Sequence, residues 1–196
     1  MTICLLAAIF VWVGALIRDR QMLREELIRL HVVGASDSAE DQTMKLRLKD
    51  MLVNSLQEDM GKFQNGEEAM AYLQENLPRI EALANQFLRE AGCTDAAAVS
   101  LGTEEFPVRY YDTFTLPSGV YRALRVTIGS GEGKNWWCVA FPGLCLPATT
   151  AGFEEAASCA GFSETLTATL EGEPEYEIRF WLLDALGKLE NFIHRA

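Results

Sequence analysis

His31 and Cys138 are residues whose types could make a nucleophilic pair, an imidazole drawing the proton from a thiol. His31 lies in the apolar run Leu27-Ile28-Arg29-Leu30-His31-Val32-Val33, where a histidine satisfied within the core is the commoner outcome. The only other histidine, His194, is third from last. No HxxxH or CxxC spacing occurs, so no zinc site is expected. Gly129-Ser130-Gly131-Glu132-Gly133-Lys134 invites comparison with a phosphate loop. Ile128 stands where such a loop needs glycine, however, and Asn135 where it needs a magnesium-binding hydroxyl. The glycines are better read as a turn between strands that needs positive backbone φ. A serine hydrolase would need a G-x-S-x-G elbow, which is missing. The expectation is a protein without cofactor or metal, and not an enzyme.

The cysteines and tryptophans leave two questions open. Cys4 falls in the apolar N-terminus, leaving Cys93, Cys138, Cys145 and Cys159. In an exported chain these permit disulfides, and Cys138 with Cys145, flanking Val139-Ala140-Phe141-Pro142-Gly143-Leu144, is the easiest bridge to envisage. Free buried thiols are the equal alternative. Trp136 and Trp137 are adjacent, so on a strand they point to opposite faces and at most one is core. The other suits a recognition surface, where tryptophan often anchors binding.

Residues 27–33 read as a largely buried strand. Gly34-Ala35-Ser36-Asp37-Ser38 then supplies turn formers, and Ser38 with Asp41 resembles a capping box. Met44, Leu48, Met51, Leu52, Leu56 and Met60 mark one helix face ending near Gly61. A second helix follows Asn65, is expected to kink or divide at Pro78, and stops at Gly92. Residues 108–115 and 124–128 are expected to pair as a hairpin around Leu116-Pro117-Ser118-Gly119. Trp136 to Phe141, apolar on both faces, suits a central strand. Residues 148–170 show no clear period, with Leu166 to Leu170 as one potential strand. A final helix from Pro174 places Ile178, Trp181, Leu182, Ala185, Leu189 and Ile193 on one face. These elements imply an α+β fold, with helices packed on a mainly antiparallel sheet in a single domain, 26–196, after an N-terminal apolar segment, 1–20.

Met1 to Ile17 carries no charge. It is short for a spanning helix and suits a signal peptide, with Val13-Gly14-Ala15 near a cleavage point; left uncut, it would be a membrane anchor. No basic residue precedes it, whereas Arg18, Arg20 and Arg24 follow, so the start codon is expected to lie upstream. With 28 acidic and 17 basic residues the net charge is −11. That charge disfavours nucleic acid and anionic headgroups as partners, and favours solubility.

Three stretches resemble the stage II sporulation protein R family. They are Ile28-Arg29-Leu30-His31-Val32-Val33-Gly34-Ala35-Ser36-Asp37-Ser38 with Asp41-Gln42 and Lys45-Leu46, then Leu116 to Val126, then Gly129 to Cys138 with Phe141-Pro142-Gly143-Leu144-Cys145. The likeness runs from about Leu27 to the final helix, with 148–170 unmatched. Ala35 stands where the family tends to carry Asn, and Gly143 where it tends to carry Pro. The resemblance implies an exported signalling protein, located between forespore and mother cell. There it would activate a membrane-embedded aspartic protease of the mother cell, leading to processing of a sigma factor precursor. Asp37, Gln42, Lys134, Asn135 and Trp136 are the contact residues this implies, although cap and turn roles would explain each equally well. The alternatives are a cell-wall-binding module, which needs exposed tryptophans, and a secreted thiol enzyme, which needs a free Cys138.

Overall fold

The computed structural model describes residues 2–143 and 150–195. Among them the elements run α1 (Thr2–Glu26), β1 (Ile28–Val33), α2 (Ala39–Met60), α3 (Gly66–Glu90), β2 (Ala97–Phe106), β3 (Arg109–Tyr110), β4 (Thr115–Leu116), β5 (Gly119–Ile128) and β6 (Asn135–Phe141). Then come α4 (Thr150–Cys159), α5 (Glu164–Glu171), a short 3-10 turn at Pro174–Tyr176, and α6 (Glu177–Arg195). The fold is α+β, with a mixed but mainly antiparallel sheet packed with helices. The chain divides into two compact units, residues 26–104 with 122–146, and residues 1–25 with 105–121 and 147–196.

The first unit is built on the sheet, whose strand order is β2-β5-β1-β6. β1 runs parallel to β5, with Leu30 opposite Leu124, and antiparallel to β6, with His31 opposite Trp137. All six β1 residues are buried: Ile28, Leu30 and Val32 face the core beneath α2 and α3, and on the other face Arg29 bonds the Cys138 carbonyl and His31 packs on Trp137. Leu30 and Val32 join Leu48, Leu52, Leu73, Ile80 and Val126 there. Ser38 caps α2, its hydroxyl accepting from the Asp41 amide. The capping box is half made, since the Asp41 carboxylate bonds the Ser36 hydroxyl instead of returning to Ser38. Asn65 caps α3, which runs unbroken through Pro78 to Glu90, so the expected division does not occur. Gly92 then takes the left-handed conformation at φ 78°.

Three further expectations are corrected. Residues 108–115 and 124–128 do not form a hairpin; β3 pairs with β4, and β5 lies between β2 and β1. The missing neighbour is β2, whose short alternation of Ala97, Val99 and Leu101 with Ala98, Ser100 and Gly102 went unread. β6 is an edge strand in the hydrogen-bonding order, not a central one. Apolar residues on both faces report burial on both faces, and Cys138 to Phe141 are indeed buried. Leu166 to Leu170 belongs to helix α5, opened by Ser163 accepting from the Leu166 amide and closed by left-handed Gly172.

In the second unit, α6 inverts the expected arrangement. Ile178, Trp181, Leu189 and Ile193 do share a face, but they are exposed, while Arg179, Leu183, Asp184 and Gly187 are buried. Polar partners explain the inversion. Arg179 is ion-paired with Asp19, and Arg20 reaches Glu190 at 2.6 Å and the Tyr121 hydroxyl at 3.2 Å. The Asp184 carboxylate accepts from the Ser118 amide at 2.8 Å and hydroxyl at 2.6 Å. At Gly187 the chain passes so close that an added Cβ would stand 1.6 Å from the Ser118 carbonyl oxygen. No helix among the described residues is long and apolar enough to cross a membrane.

Candidate recognition site

β1 and β6 end beside each other, and the loops that follow β1 and precede β6 are bonded together. The Gly133 amide donates to the Gly34 carbonyl at 2.9 Å, and the Ser130 hydroxyl to the Ala35 carbonyl at 2.9 Å. Gly129 and Gly131 have φ of 55° and 67°, as a turn with positive φ requires. Gly133 is glycine for a different reason. Its φ is not positive, but a Cβ there would stand 2.3 Å from the Ser36 carbonyl oxygen.

Four of the five expected contact residues are exposed along this seam, and the fifth, Gln42, is half-buried beneath it. The Asp37 carboxylate accepts from the Lys134 amide at 2.7 Å. Gln42 donates through Nε2 to the Ser36 carbonyl at 2.7 Å. Asn135 Oδ1 lies 2.8 Å from His31 Nε2. Trp136, which is 37% exposed, carries the Lys49 ammonium 4.9 Å from its ring centroid. The geometry gathers all five at one end of the β1–β6 pair, with Asn135 on the side of His31 and Trp136 on the opposite side, against Lys49 of α2. Each of the polar four also has an internal partner, so the surface is presented in a set conformation.

Two supporting residues were not among the expected contacts, although Lys45 stands in the first string quoted for the resemblance. Lys45 is buried, and its Nζ donates to Gln42 Oε1 at 2.6 Å and to the Lys134 carbonyl at 2.8 Å, tying both loops to α2. Burial pushes its ammonium below the usual lysine range, the Asp37 carboxylate opposing and the Lys134 charge adding. Its position seven residues after Ser38, on the inward face of a capped helix, was the available signal. The second is Glu104, whose Oε2 lies 2.6 Å from His31 Nδ1 while Oε1 takes Arg125 at 3.4 Å. Burial pushes the Glu104 carboxyl up, and the hydrogen bond and charges of His31 and Arg125 outweigh it, leaving it below the ordinary range.

Trp136 and Trp137 divide as their adjacency requires. Trp137 is half-buried and stacked on His31, with ring centroids 5.5 Å apart and 16° between planes. His31 is thus a core residue with both ring nitrogens facing acceptor oxygens. Cys138 is disulfide-bonded, which removes the thiol a nucleophile would need. Its expected partner, Cys145, lies outside the described residues. Cys4 and Cys93 are free thiols. Among the described residues no cluster of His, Cys, Asp or Glu could hold a metal ion.

A family model described as stage II sporulation protein R matches residues 24–151. The stage II sporulation protein R of Bacillus subtilis (strain 168) is 32% identical over 124 residues, which is 63% of this chain. The aligned part spans 55% of that relative's length, little more than half. No solved structure matches. The family match contains every seam residue and ends before α5 and α6, so the final helix expected within the resemblance lies outside it.

Proposed function

Because this chain belongs to the stage II sporulation protein R family, we propose that it is an exported signal that activates a membrane-embedded aspartic protease, leading to processing of a mother-cell sigma factor precursor. The role in sporulation follows from the family; the export, the partner and the processing step are this reading's own. The observation that supports it best is the seam. Asp37, Lys134, Asn135 and Trp136 are each exposed at this end of the sheet, inside the family match, beside loops tied to α2 by Lys45. That arrangement offers a rigid, mixed polar and aromatic surface, the chemistry of a protein-binding anchor. It offers no reacting group, because Cys138 is oxidised and His31 is enclosed by Glu104, Asn135 and Trp137. On this reading the protein is a ligand and not an enzyme. A ligand shifts an equilibrium only through its differential affinity for two states, so the seam must bind the active state of the protease better.

The test is reconstitution in a non-sporulating host that co-expresses this chain, the protease and the sigma precursor, with processing followed by immunoblot. The expected result is processing that requires both export of this chain and the protease's catalytic aspartates. Absence of processing despite export and folding would overturn the reading. Retention on purified peptidoglycan would then point to a wall-binding module.

A further inference from the structure

Among the described residues the outward face of α6 is apolar without a covering element. Ile178 is 72% exposed, Trp181 66%, Leu189 54%, Phe192 72% and Ile193 63%. A helix of this kind normally turns its apolar stripe inward. Here the inward side is held by Arg179, Asp184 and Gly187, so the stripe has been left for something else. The same unit contains the apolar half of α1, with Phe10, Val11 and Ile17 also exposed.

Two ion pairs join these features. Asp19 with Arg179, and Arg20 with Glu190, fasten α6 to α1 immediately after Ile17, where the uncharged stretch ends. We infer that this unit docks on a lipid surface, the outward face of α6 lying in the interface beside the apolar half of α1. Residues 1–17 span only about 25 Å as a helix, less than the ~30 Å of a hydrocarbon core, so embedding in one side suffices. Any element fastened at residues 19 and 20 then stands at the depth where lipid meets water. Trp181 and Phe192 are side-chain types that settle at that depth. Pairing with a second copy through α6 would leave the apolar half of α1 exposed to water, whereas lipid is a suitable surrounding for both. The attraction is apolar and not ionic: α6 carries Glu177, Asp184 and Glu190 against Arg179, Lys188 and Arg195, and the chain is net −11. Binding is therefore expected on neutral lipid and insensitive to salt. This inference does not depend on the protease reading.

The full chain would be mixed with phosphatidylcholine vesicles, plain or brominated near the top of the acyl chains, and its tryptophan emission compared with that of Trp181→Phe. The emission contributed by Trp181 should be present in plain vesicles and lost in brominated ones. Ile178→Ser with Phe192→Ser should lower the vesicle-bound fraction by roughly tenfold at unchanged circular dichroism. Equal Trp181 emission in both vesicles, or a protein that stays in the aqueous phase, would overturn the inference. So would a dimer in buffer that Phe192→Ser converts to monomer, since the face would then be a self-interface.

Discussion

Gly133 and Lys45 carry the seam between them, one by lacking a side chain and the other by burying a charged one. A Cβ on Gly133 would meet backbone, at the Ser36 carbonyl, and backbone cannot swing aside as a side-chain tip can. Gly133→Ala should therefore destabilise the protein by about 1–3 kcal/mol in urea titration. Gly102→Ala is the control, because nothing lies within 4 Å of the new Cβ, and it should change stability by less than about 0.5 kcal/mol. Equal effects of the two would contradict the close approach. The sequence pointed to the glycine loop but assigned all three glycines to positive φ. Close approach is a tertiary property that residue type alone does not reveal. Asp37 and Asn135 could be nominated from their loops, yet their bonds to Lys134 and His31 join residues 97 and 104 apart in the chain.

Among the elements, those with a strong period and a cap were legible. α2 and α3 begin at Ser38 and Asn65 and keep one apolar face, and β1 is a continuous apolar run. β2 was missed because its alternation of Ala97, Val99 and Leu101 with smaller or polar residues is short and gives way to Gly102-Thr103-Glu104-Glu105. α5 was hidden in Ala- and Thr-rich sequence, and its Ser163 and Gly172 caps were its clearest marks. α6 was placed correctly and turned the wrong way, because pattern reading assumes the apolar stripe is inward. Buried carboxylates on two elements also make the fold acid-sensitive. Burial pushes Asp184 up, but Lys188 and the two Ser118 hydrogen bonds prevail, so its carboxyl sits below the ordinary range, as does that of Glu104. A lowered folded-state pKa contributes stability above the unfolded value and loses it as pH falls through the folded one. Thermal midpoints should thus hold from pH 7 to 5 and fall below about pH 4.5, with solvent screening limiting the size of the effect. Asp184→Asn should lower the midpoint at pH 7 and flatten that acid fall; an unchanged acid slope would show that Asp184 does not contribute to it.

For the molecule as a whole, the two compact units divide the proposed tasks. The family match contains all of the unit formed by 26–104 and 122–146, and with it the seam. The unit containing α1 and α6 holds the exposed apolar faces. The α+β class was readable from the succession of periods, whereas the function came from three short strings and not from composition. Net charge −11 could only count against nucleic acid and anionic headgroups as partners. The central claim is that the seam is the surface an activated partner recognises. It is tested most directly by Asn135→Ala and Trp136→Ala, separately and together, in the co-expression assay, after circular dichroism and secreted yield show both chains folded. The account predicts that precursor processing falls by at least about tenfold in the double variant, as for loss of a binding anchor. Full processing by the folded, exported double variant would contradict it.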